Sequence, residues 1–161
     1  MRSVEEHAIK SRGDGAKVLL AEGSRGDVRL TLDAFRETNN AVEVHVVRDG
    51  IEALAFLRRE GAHALAPRPD LILLDLDLPK LDGRQVLSKI RNDAELKAIP
   101  TVVLAKSPGE DDIAKTYQLE PNCYLTKPLG VKDFERLIQS INDFWLLRAN
   151  MRPKAIDGLT A

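Results

Sequence analysis

The sequence predicts an α/β protein with a doubly wound, five-stranded parallel sheet and about five helices. Short apolar runs alternate five times with longer amphipathic runs, which is the pattern of repeated strand–helix units. The run 71–74 is apolar without alternation, as expected of a strand that helices cover on both faces. A chain of 161 residues with 43% hydrophobic residues suits one domain of ordinary size.

The strands are predicted from short apolar runs bounded by turn-forming residues. In chain order, we expect them at 18–21, 42–47, 71–75, 101–105 and 122–125. The second strand alternates apolar residues with Glu43 and His45, so we expect one of its faces to be more exposed. The third strand ends abruptly in Asp75, and Pro128 stops the fifth.

The helices are predicted from apolar residues spaced three and four apart. Ser24 and Asp27 form a capping-box pattern before the first helix, whose buried face includes Leu32. Further helices are expected at 51–57, at 83–92, from the acidic cluster 110–112 onward, and at 134–145. We expect a loose leader at 1–15, the folded domain at 16–148 and a tail at 149–161.

Composition and charge exclude several classes of function. The formal net charge is -1 and charges of both signs are interspersed, so nucleic-acid binding is not expected. No apolar stretch reaches the roughly 20 residues of a membrane span, and the N-terminus lacks a secretion signal. We therefore expect a cytoplasmic protein without membrane contact. The sequence has no Gly-rich phosphate loop, no His-Glu-x-x-His pair and no nucleophile elbow, so an enzyme is not expected.

Asp75 and Lys127 are candidates for chemistry because each follows a short apolar strand. The carboxyl ends of parallel strands meet at one edge of the sheet, where α/β proteins bind their ligands. Taken singly, Asp75 could cap a turn and Lys127 could be a solvated surface lysine. The combined spacing of Asp75, Pro79, Asp82-Gly83 and Lys127-Pro128 is far more specific.

This spacing resembles the response-regulator receiver domain over residues 16–147. The segments 26–30, 46–50, 122–128 and 143–145 are similar in detail to the short single-domain receivers that partner bacterial phytochromes. The resemblance implies a flavodoxin-like sheet with strand order 2-1-3-4-5. It also implies a protein of two-component phosphorelay signalling, whose partner is a sensor histidine kinase, with a phytochrome as the candidate kinase.

The resemblance assigns roles to individual residues. In that family the aspartate at the end of strand three takes a phosphoryl group from a phosphohistidine of the kinase, and Asp75 occupies that place. Lys127 matches the lysine that pairs with the phosphoryl group. Mg²⁺ normally holds the phosphoryl oxygens and offsets their negative charge. The candidate ligands of a weak Mg²⁺ site are Glu22, Asp75 and Asp77.

The sequence departs from the family pattern at two positions. An acid pair normally follows strand one, but here Glu22 is followed by a glycine, and the loss of a carboxylate should weaken Mg²⁺ binding. The switch hydroxyl after strand four is replaced by Ala105, which cannot hydrogen-bond a phosphoryl oxygen. We therefore expect impaired phosphorylation at Asp75 and assign Ala105, Lys106 and Tyr124 to an atypical switch region.

Two side chains leave the mechanism open. The Asp77 carboxylate could restore the missing metal ligand or point to solvent. Lys106 could lie among Glu22, Asp75 and Asp77 and take over the charge role of the metal. If Lys106 points outward, three acids remain and Mg²⁺ stays compatible with the site.

The leading interpretation is a receiver that acts through protein contacts, with phosphorylation weakened or absent. The alternative is a Mg²⁺-dependent phosphoacceptor in which Asp77 rebuilds the metal site. Phe144 and Trp145, near the end of the last helix, could complete a homodimer surface or simply finish the core. The resemblance to dimerising phytochrome receivers favours the interface, where aromatic residues are enriched.

Overall fold

The computed structural model of this chain describes residues 15–38, 41–106 and 121–146. Its helices and strands are β1 (Ala16–Ala21), α1 (Arg25–Arg36), β2 (Val42–Val47), α2 (Gly50–Arg58), β3 (Leu71–Asp75), α3 (Gly83–Arg91), β4 (Thr101–Ala105), β5 (Cys123–Thr126) and α4 (Val131–Ile141). Short 3₁₀ turns, Gly61–His63 and Leu96–Ala98, precede β3 and β4, and a π-helical turn, Asn142–Leu146, follows α4. None of the helices in the described ranges is long and apolar enough to cross a membrane.

All five strands are parallel and lie in the order β2-β1-β3-β4-β5, which confirms the predicted fold class and strand order. Ala21 at the end of β1 pairs with Leu74 of β3, and Asp75 pairs with Leu104 of β4. The three central strands therefore end at nearly the same level. Four of the predicted helices are present, and the helix expected from 110–112 lies outside the described residues.

The core consists of two layers, one on each face of the sheet. Along β3, Leu71 and Leu73 belong to the layer beneath α1 and α4, whereas Ile72 and Leu74 belong to the layer beneath α2 and α3. The helices contribute Leu32, Phe35, Phe134 and Ile138 to the first layer and Leu54, Phe56, Leu87 and Ile90 to the second. Because both faces of β3 are covered, its sequence is apolar without interruption.

Two glycines let the helices start close to the edge of the sheet. A Cβ atom on Gly83 would overlap the carbonyl oxygen of Asp75, and one on Gly50 would overlap the carbonyl oxygen of Leu81. Asp82 caps α3 through a capping box, in which its own N–H donates to the side chain of the residue at the third helical position. This close approach places the start of α3 directly against Asp75.

Candidate functional site

A buried lysine and three carboxylates meet at the carboxyl edge of the sheet. Lys127 follows β5, Glu22 follows β1, Asp75 ends β3, and Asp27 lies in the first turn of α1. The Lys127 Nζ atom lies 2.8 Å from Glu22 Oε1, 2.8 Å from Asp27 Oδ2 and 3.4 Å from Asp75 Oδ2. Glu22, Asp75 and Lys127 are 1%, 4% and 6% exposed. We call these four residues the ion cluster.

The sheet topology explains how Lys127 reaches Asp75. β4 lies between β3 and β5, so the Lys127 side chain crosses the end of β4. The residue at that end is Ala105, which is small and buried, and its carbonyl oxygen accepts the Lys127 N–H at 2.7 Å. The structure thus brings together the two residues that the sequence singled out on different strands.

Asp27 is the member of the ion cluster that sequence reasoning missed. From the sequence, helix capping alone explains an acid in the first turn, where the helix dipole favours negative charge. In the structure, Ser24 caps the helix, since its Oγ accepts the Asp27 N–H at 3.2 Å. The Ser24 N–H donates to Glu22 Oε2 at 3.1 Å. The Asp27 carboxylate binds Lys127. One signal in the sequence could have identified Asp27. The turn between β1 and α1 is short, so an acid in the first turn of α1 must lie near the edge of the sheet where Glu22 lies.

Burial and charge act in opposite directions on the ion cluster. Burial raises the pKa of Glu22 to about 7, and the neighbouring Asp75 carboxylate adds to the rise, whereas Lys127 lowers it. Burial alone would lower the pKa of Lys127, but Glu22, Asp27 and Asp75 outweigh burial and raise it above its ordinary value. Lys127 is therefore a cation at neutral pH, and Glu22 binds a proton more readily than an exposed glutamate does.

A second cation holds the loop between β1 and α1. The Arg48 Nε donates to the carbonyl oxygen of Glu22 at 3.2 Å, and its Nη2 donates to the carbonyl oxygen of Gly23 at 3.0 Å. The planar guanidinium suits two neighbouring acceptors. A Cβ atom on Gly23 would lie 3.1 Å from Pro79 Cδ, so a larger residue at position 23 requires a small shift of Pro79.

The other sequence candidates lie away from the ion cluster or lack a polar group. The Asp77 side chain is exposed, and its backbone N–H donates to Asp75 Oδ1 at 3.0 Å. Lys106 is exposed as well. Of the two orientations that the sequence allowed for its side chain, the structure therefore has the outward one. Ala105 provides no hydroxyl at the end of β4. Tyr124 is partly buried and packs against the core layer beneath α2 and α3.

The receiver resemblance implies an Mg²⁺ ion with Glu22, Asp75 and Asp77 as its ligands. Within the ranges that the structure describes, no group of three or more His, Cys, Asp or Glu side chains is arranged to hold a metal ion. The Lys127 ammonium lies against Glu22 and Asp75, which were two of the expected ligands. With its three N–H donors, the ammonium is able to contact Glu22, Asp27 and Asp75 together.

An aromatic pair lies in the π-helical turn that follows α4. The rings of Phe144 and Trp145 pack edge to face, with centroids 5.1 Å apart and an interplanar angle of 79°. Trp145 packs against the core layer beneath α1 and α4, whereas Phe144 is 51% exposed. The sequence left open whether these residues finish the core or form a homodimer surface. In the structure, Trp145 contacts the core, whereas Phe144 lies at the surface.

Proteins with similar sequences and structures are receivers. The family model described as "Response regulator receiver domain" matches residues 18–142. Response regulator Rcp1 of Synechocystis sp. is 46% identical over 129 residues, which cover 80% of this chain and 88% of Rcp1. The crystal structure of the phosphorylated cyanobacterial phytochrome response regulator RcpA has a TM-score of 0.79 at 48% identity and covers 82% of this chain and 94% of RcpA. The Mn²⁺-bound form of Rcp1 has a TM-score of 0.78 at 46% identity, with 81% and 94% of the two chains covered. The chain therefore belongs to the response regulator receiver family of two-component signalling, with phytochrome response regulators among its homologues.

Proposed function

We propose that this chain is an atypical receiver that signals through protein contacts and in which phosphorylation of Asp75 is impaired. The observation that carries the proposal is the Lys127 ammonium, which lies within 3.4 Å of three carboxylates and offsets part of their charge. A site that already contains a cation has less negative charge with which to attract Mg²⁺. The cytoplasmic location predicted from the sequence is part of this proposal.

The residues at positions 23 and 105 support the same reading. Gly23 offers no second carboxylate after β1, and the affinity of oxygen-ligand sites for hard cations depends on ligand charge. Ala105 offers no hydroxyl at the end of β4, so this strand cannot donate a side-chain hydrogen bond to a phosphoryl oxygen. A phosphoryl group on Asp75 would therefore have weaker charge compensation from a metal ion and would lack one hydrogen-bond donor.

The test is the intact mass after incubation with acetyl phosphate, with and without Mg²⁺, followed by an acid quench. In this reaction a carboxylate oxygen of Asp75 would bond to phosphorus while the P–O bond to acetate breaks, and acetate leaves with the electron pair. Asp75→Asn lacks the nucleophilic carboxylate and is the control. We expect little or no Mg²⁺-dependent adduct. A stoichiometric adduct that is absent from Asp75→Asn would refute the impairment.

A gain-of-function variant tests the cause of the impairment. Gly23→Asp returns a carboxylate to the β1–α1 loop, at the cost of a small shift of Pro79. Gly26→Asp adds the same charge in the first turn of α1, where the nearest atom to a new Cβ is 3.9 Å distant. We expect Gly23→Asp, but not Gly26→Asp, to gain Mg²⁺ affinity and a Mg²⁺-dependent phosphoryl adduct. Equal behaviour of the two variants would mean that the missing acid is not the cause.

The proposed partner is a sensor histidine kinase, with bacterial phytochromes as the candidate class. The support is RcpA, a cyanobacterial phytochrome response regulator at 48% identity. Calorimetric titration of this chain with the purified histidine-containing region of a phytochrome kinase tests the pairing. We expect binding that Asp75→Asn leaves unchanged, because the proposed contacts do not require phosphorylation. Undetectable binding would remove phytochrome kinases from the proposal.

We also propose a homodimer whose interface includes Phe144. A half-exposed phenyl ring beside a partly buried tryptophan is typical of the aromatic residues enriched at interfaces. Sedimentation velocity of Phe144→Arg, with Leu65→Arg as a control at a fully exposed apolar residue between α2 and β3, tests it. We expect a dimer for wild type and Leu65→Arg and a monomer for Phe144→Arg. A monomeric wild type would contradict the proposal.

The second candidate function is a Mg²⁺-dependent phosphoacceptor in which Asp77 supplies a metal ligand. Its specific support is that RcpA was crystallised phosphorylated and Rcp1 with Mn²⁺. Asp77 is exposed, and among the described residues its carboxylate makes no hydrogen bond or ion pair, so it is able to take a ligand. A Mg²⁺-dependent adduct that Asp77→Asn abolishes would favour this function.

A further inference from the structure

The Lys127 ammonium is not centred among its three carboxylates. Its Nζ atom lies 2.8 Å from both Glu22 and Asp27 but 3.4 Å from Asp75. A charge-assisted N–H···O hydrogen bond is about 2.7–2.9 Å long, so the two shorter contacts are full hydrogen bonds and the contact with Asp75 is weaker. Asp75 has a further partner, since its Oδ1 accepts the Asp77 N–H at 3.0 Å. The lysine is thus drawn toward β1 and α1 and away from the phosphoacceptor position.

The two short contacts differ in how easily they can be released. Glu22 is 1% exposed, and its Oε2 also accepts the Ser24 N–H. The Asp27 side chain is 22% exposed, and in the described part of the chain Lys127 is the one partner of its carboxylate. Turning Asp27 into solvent would break one contact and rehydrate a carboxylate, whereas moving Glu22 would break two contacts in a buried site.

Asp27 is therefore the releasable partner of the lysine. We propose that Asp27 holds the Lys127 ammonium away from Asp75 and competes with a phosphoryl group on Asp75 for the same lysine. The inference rests on the proposed roles of Asp75 and Lys127 as phosphoacceptor position and phosphoryl-pairing lysine. Asp27 acts through Lys127 and does not touch the reacting atoms, so it is a positioning residue.

A purely structural role of Asp27 predicts the opposite result. Asp27 places a favourable charge in the first turn of α1, so its loss should loosen this edge of the sheet and lower phosphoryl uptake. Competition for Lys127 predicts that losing the charge raises phosphoryl uptake. Asp33, on the same helix, is a matched control because it is exposed and pairs with Arg36 at 3.3 Å.

The experiment compares full-length wild type, Asp27→Asn and Asp33→Asn by two readouts. One is the ¹H–¹⁵N NMR signal of the Lys127 ammonium, assigned by its loss in Lys127→Arg. The other is the rate of phosphoryl adduct formation from acetyl phosphate and Mg²⁺, followed by intact mass. We expect Asp27→Asn to shift the signal and to raise the rate by about tenfold, the lower end of the effect of one hydrogen bond to a charged group. Asp33→Asn should change neither, and Asp27→Glu, which keeps a carboxylate, should return the rate toward that of wild type.

Three results would overturn the role of Asp27. They are an ammonium signal in Asp27→Asn identical to that of wild type, an unchanged or lower rate in Asp27→Asn, and the absence of an adduct in both proteins. These results are distinct from failure of the proposed function. Rapid phosphorylation of wild type refutes the impairment, but the ratio of the Asp27→Asn rate to the wild-type rate still decides whether Asp27 competes for the lysine.

Discussion

The two sides of Asp75 differ in how their charges are satisfied. Toward β1 and α1, Glu22 and Asp27 each lie 2.8 Å from the buried Lys127 ammonium. We call these three residues the closed side. A buried charge needs a partner because its desolvation is costly, so each member of the closed side depends on the others.

The other side of Asp75 carries charges that have no partner among the residues that the structure describes. Asp77 and Lys106 are exposed, and Ala105 is buried but apolar. We call these three residues the open side. We therefore expect the stability of this edge to reside in the closed side and the open side to accept a new ligand or partner at little cost. Substitutions on the two sides test this difference.

The largest effect is expected from Lys127→Met. The substitution removes the cation from among three carboxylates, of which Glu22 and Asp75 are almost fully buried. We expect the free energy of unfolding, measured with urea in the presence of a chelator, to fall by about 3–5 kcal/mol. Adding Mg²⁺ should restore part of the loss, because three carboxylates without an ammonium attract a divalent cation.

Lys106→Met is the matched control for this prediction. It removes the same charge from the open side, where the side chain is exposed, and should change the free energy of unfolding by less than about 0.5 kcal/mol. Equal losses in the two variants would show that the closed side has no special role in stability.

The second effect is a pH dependence caused by Glu22. Its pKa rises from 4.5 to about 7 on folding, so the folded chain binds an extra proton between these values. The stabilisation is fully present below pH 4.5 and is lost as the pH rises through 7. The loss is at most roughly 3 kcal/mol, since one pKa unit corresponds to about 1.4 kcal/mol. Urea midpoints measured across this range in chelator should fall for wild type and stay flatter for Glu22→Gln.

Glu37→Gln removes an exposed carboxylate near the end of α1 and serves as the control for Glu22→Gln. It should keep the pH dependence of wild type. If Glu22→Gln showed the same slope as Glu37→Gln, the slope would have to come from another group, and Glu22 would not be the proton-binding member of the closed side.

Much of this edge was predictable from the sequence because strands that are buried on both faces leave a clear pattern. The run 71–74 located β3, and its abrupt end located Asp75. Lys127 followed in the same way from the end of β5. Since parallel strands direct their carboxyl ends to one edge, the sequence could bring these residues together without any knowledge of side-chain directions.

The direction of individual side chains was not predictable. The sequence allowed Lys106 to lie among the acids, but in the structure Lys127 has that position and Lys106 is exposed. Which lysine lies among the acids depends on which side chain crosses the end of β4. This is a three-dimensional property that no local sequence pattern encodes. Asp27 escaped notice for a different reason, because helix capping already explained it.

A smaller effect is expected from Arg48→Lys, which tests how the backbone of the loop between β1 and α1 is held in place. The guanidinium joins the carbonyl oxygens of Glu22 and Gly23, and an ammonium can replace only one of these hydrogen bonds well. We expect a loss of about 1–2 kcal/mol in the free energy of unfolding and faster hydrogen exchange of the Ser24 N–H. Arg36→Lys, at an exposed pair, should change stability by less than about 0.5 kcal/mol and leave the exchange unchanged. Normal exchange in Arg48→Lys would mean that the loop is held by its other contacts.

The smallest effect is expected from Asp77→Asn on the open side. Asp77 is exposed and its backbone N–H, which donates to Asp75 Oδ1, is retained in the variant. The free energy of unfolding should therefore change by less than about 0.5 kcal/mol, and the Mg²⁺ affinity measured by calorimetry should match that of wild type. Because Mg²⁺ affinity depends on the charge of the ligands, a marked loss of affinity in Asp77→Asn would place a working metal ligand on the open side. The ammonium of the closed side would then coexist with a metal ion instead of replacing it, and the Mg²⁺-dependent phosphoacceptor would become the better account of this receiver.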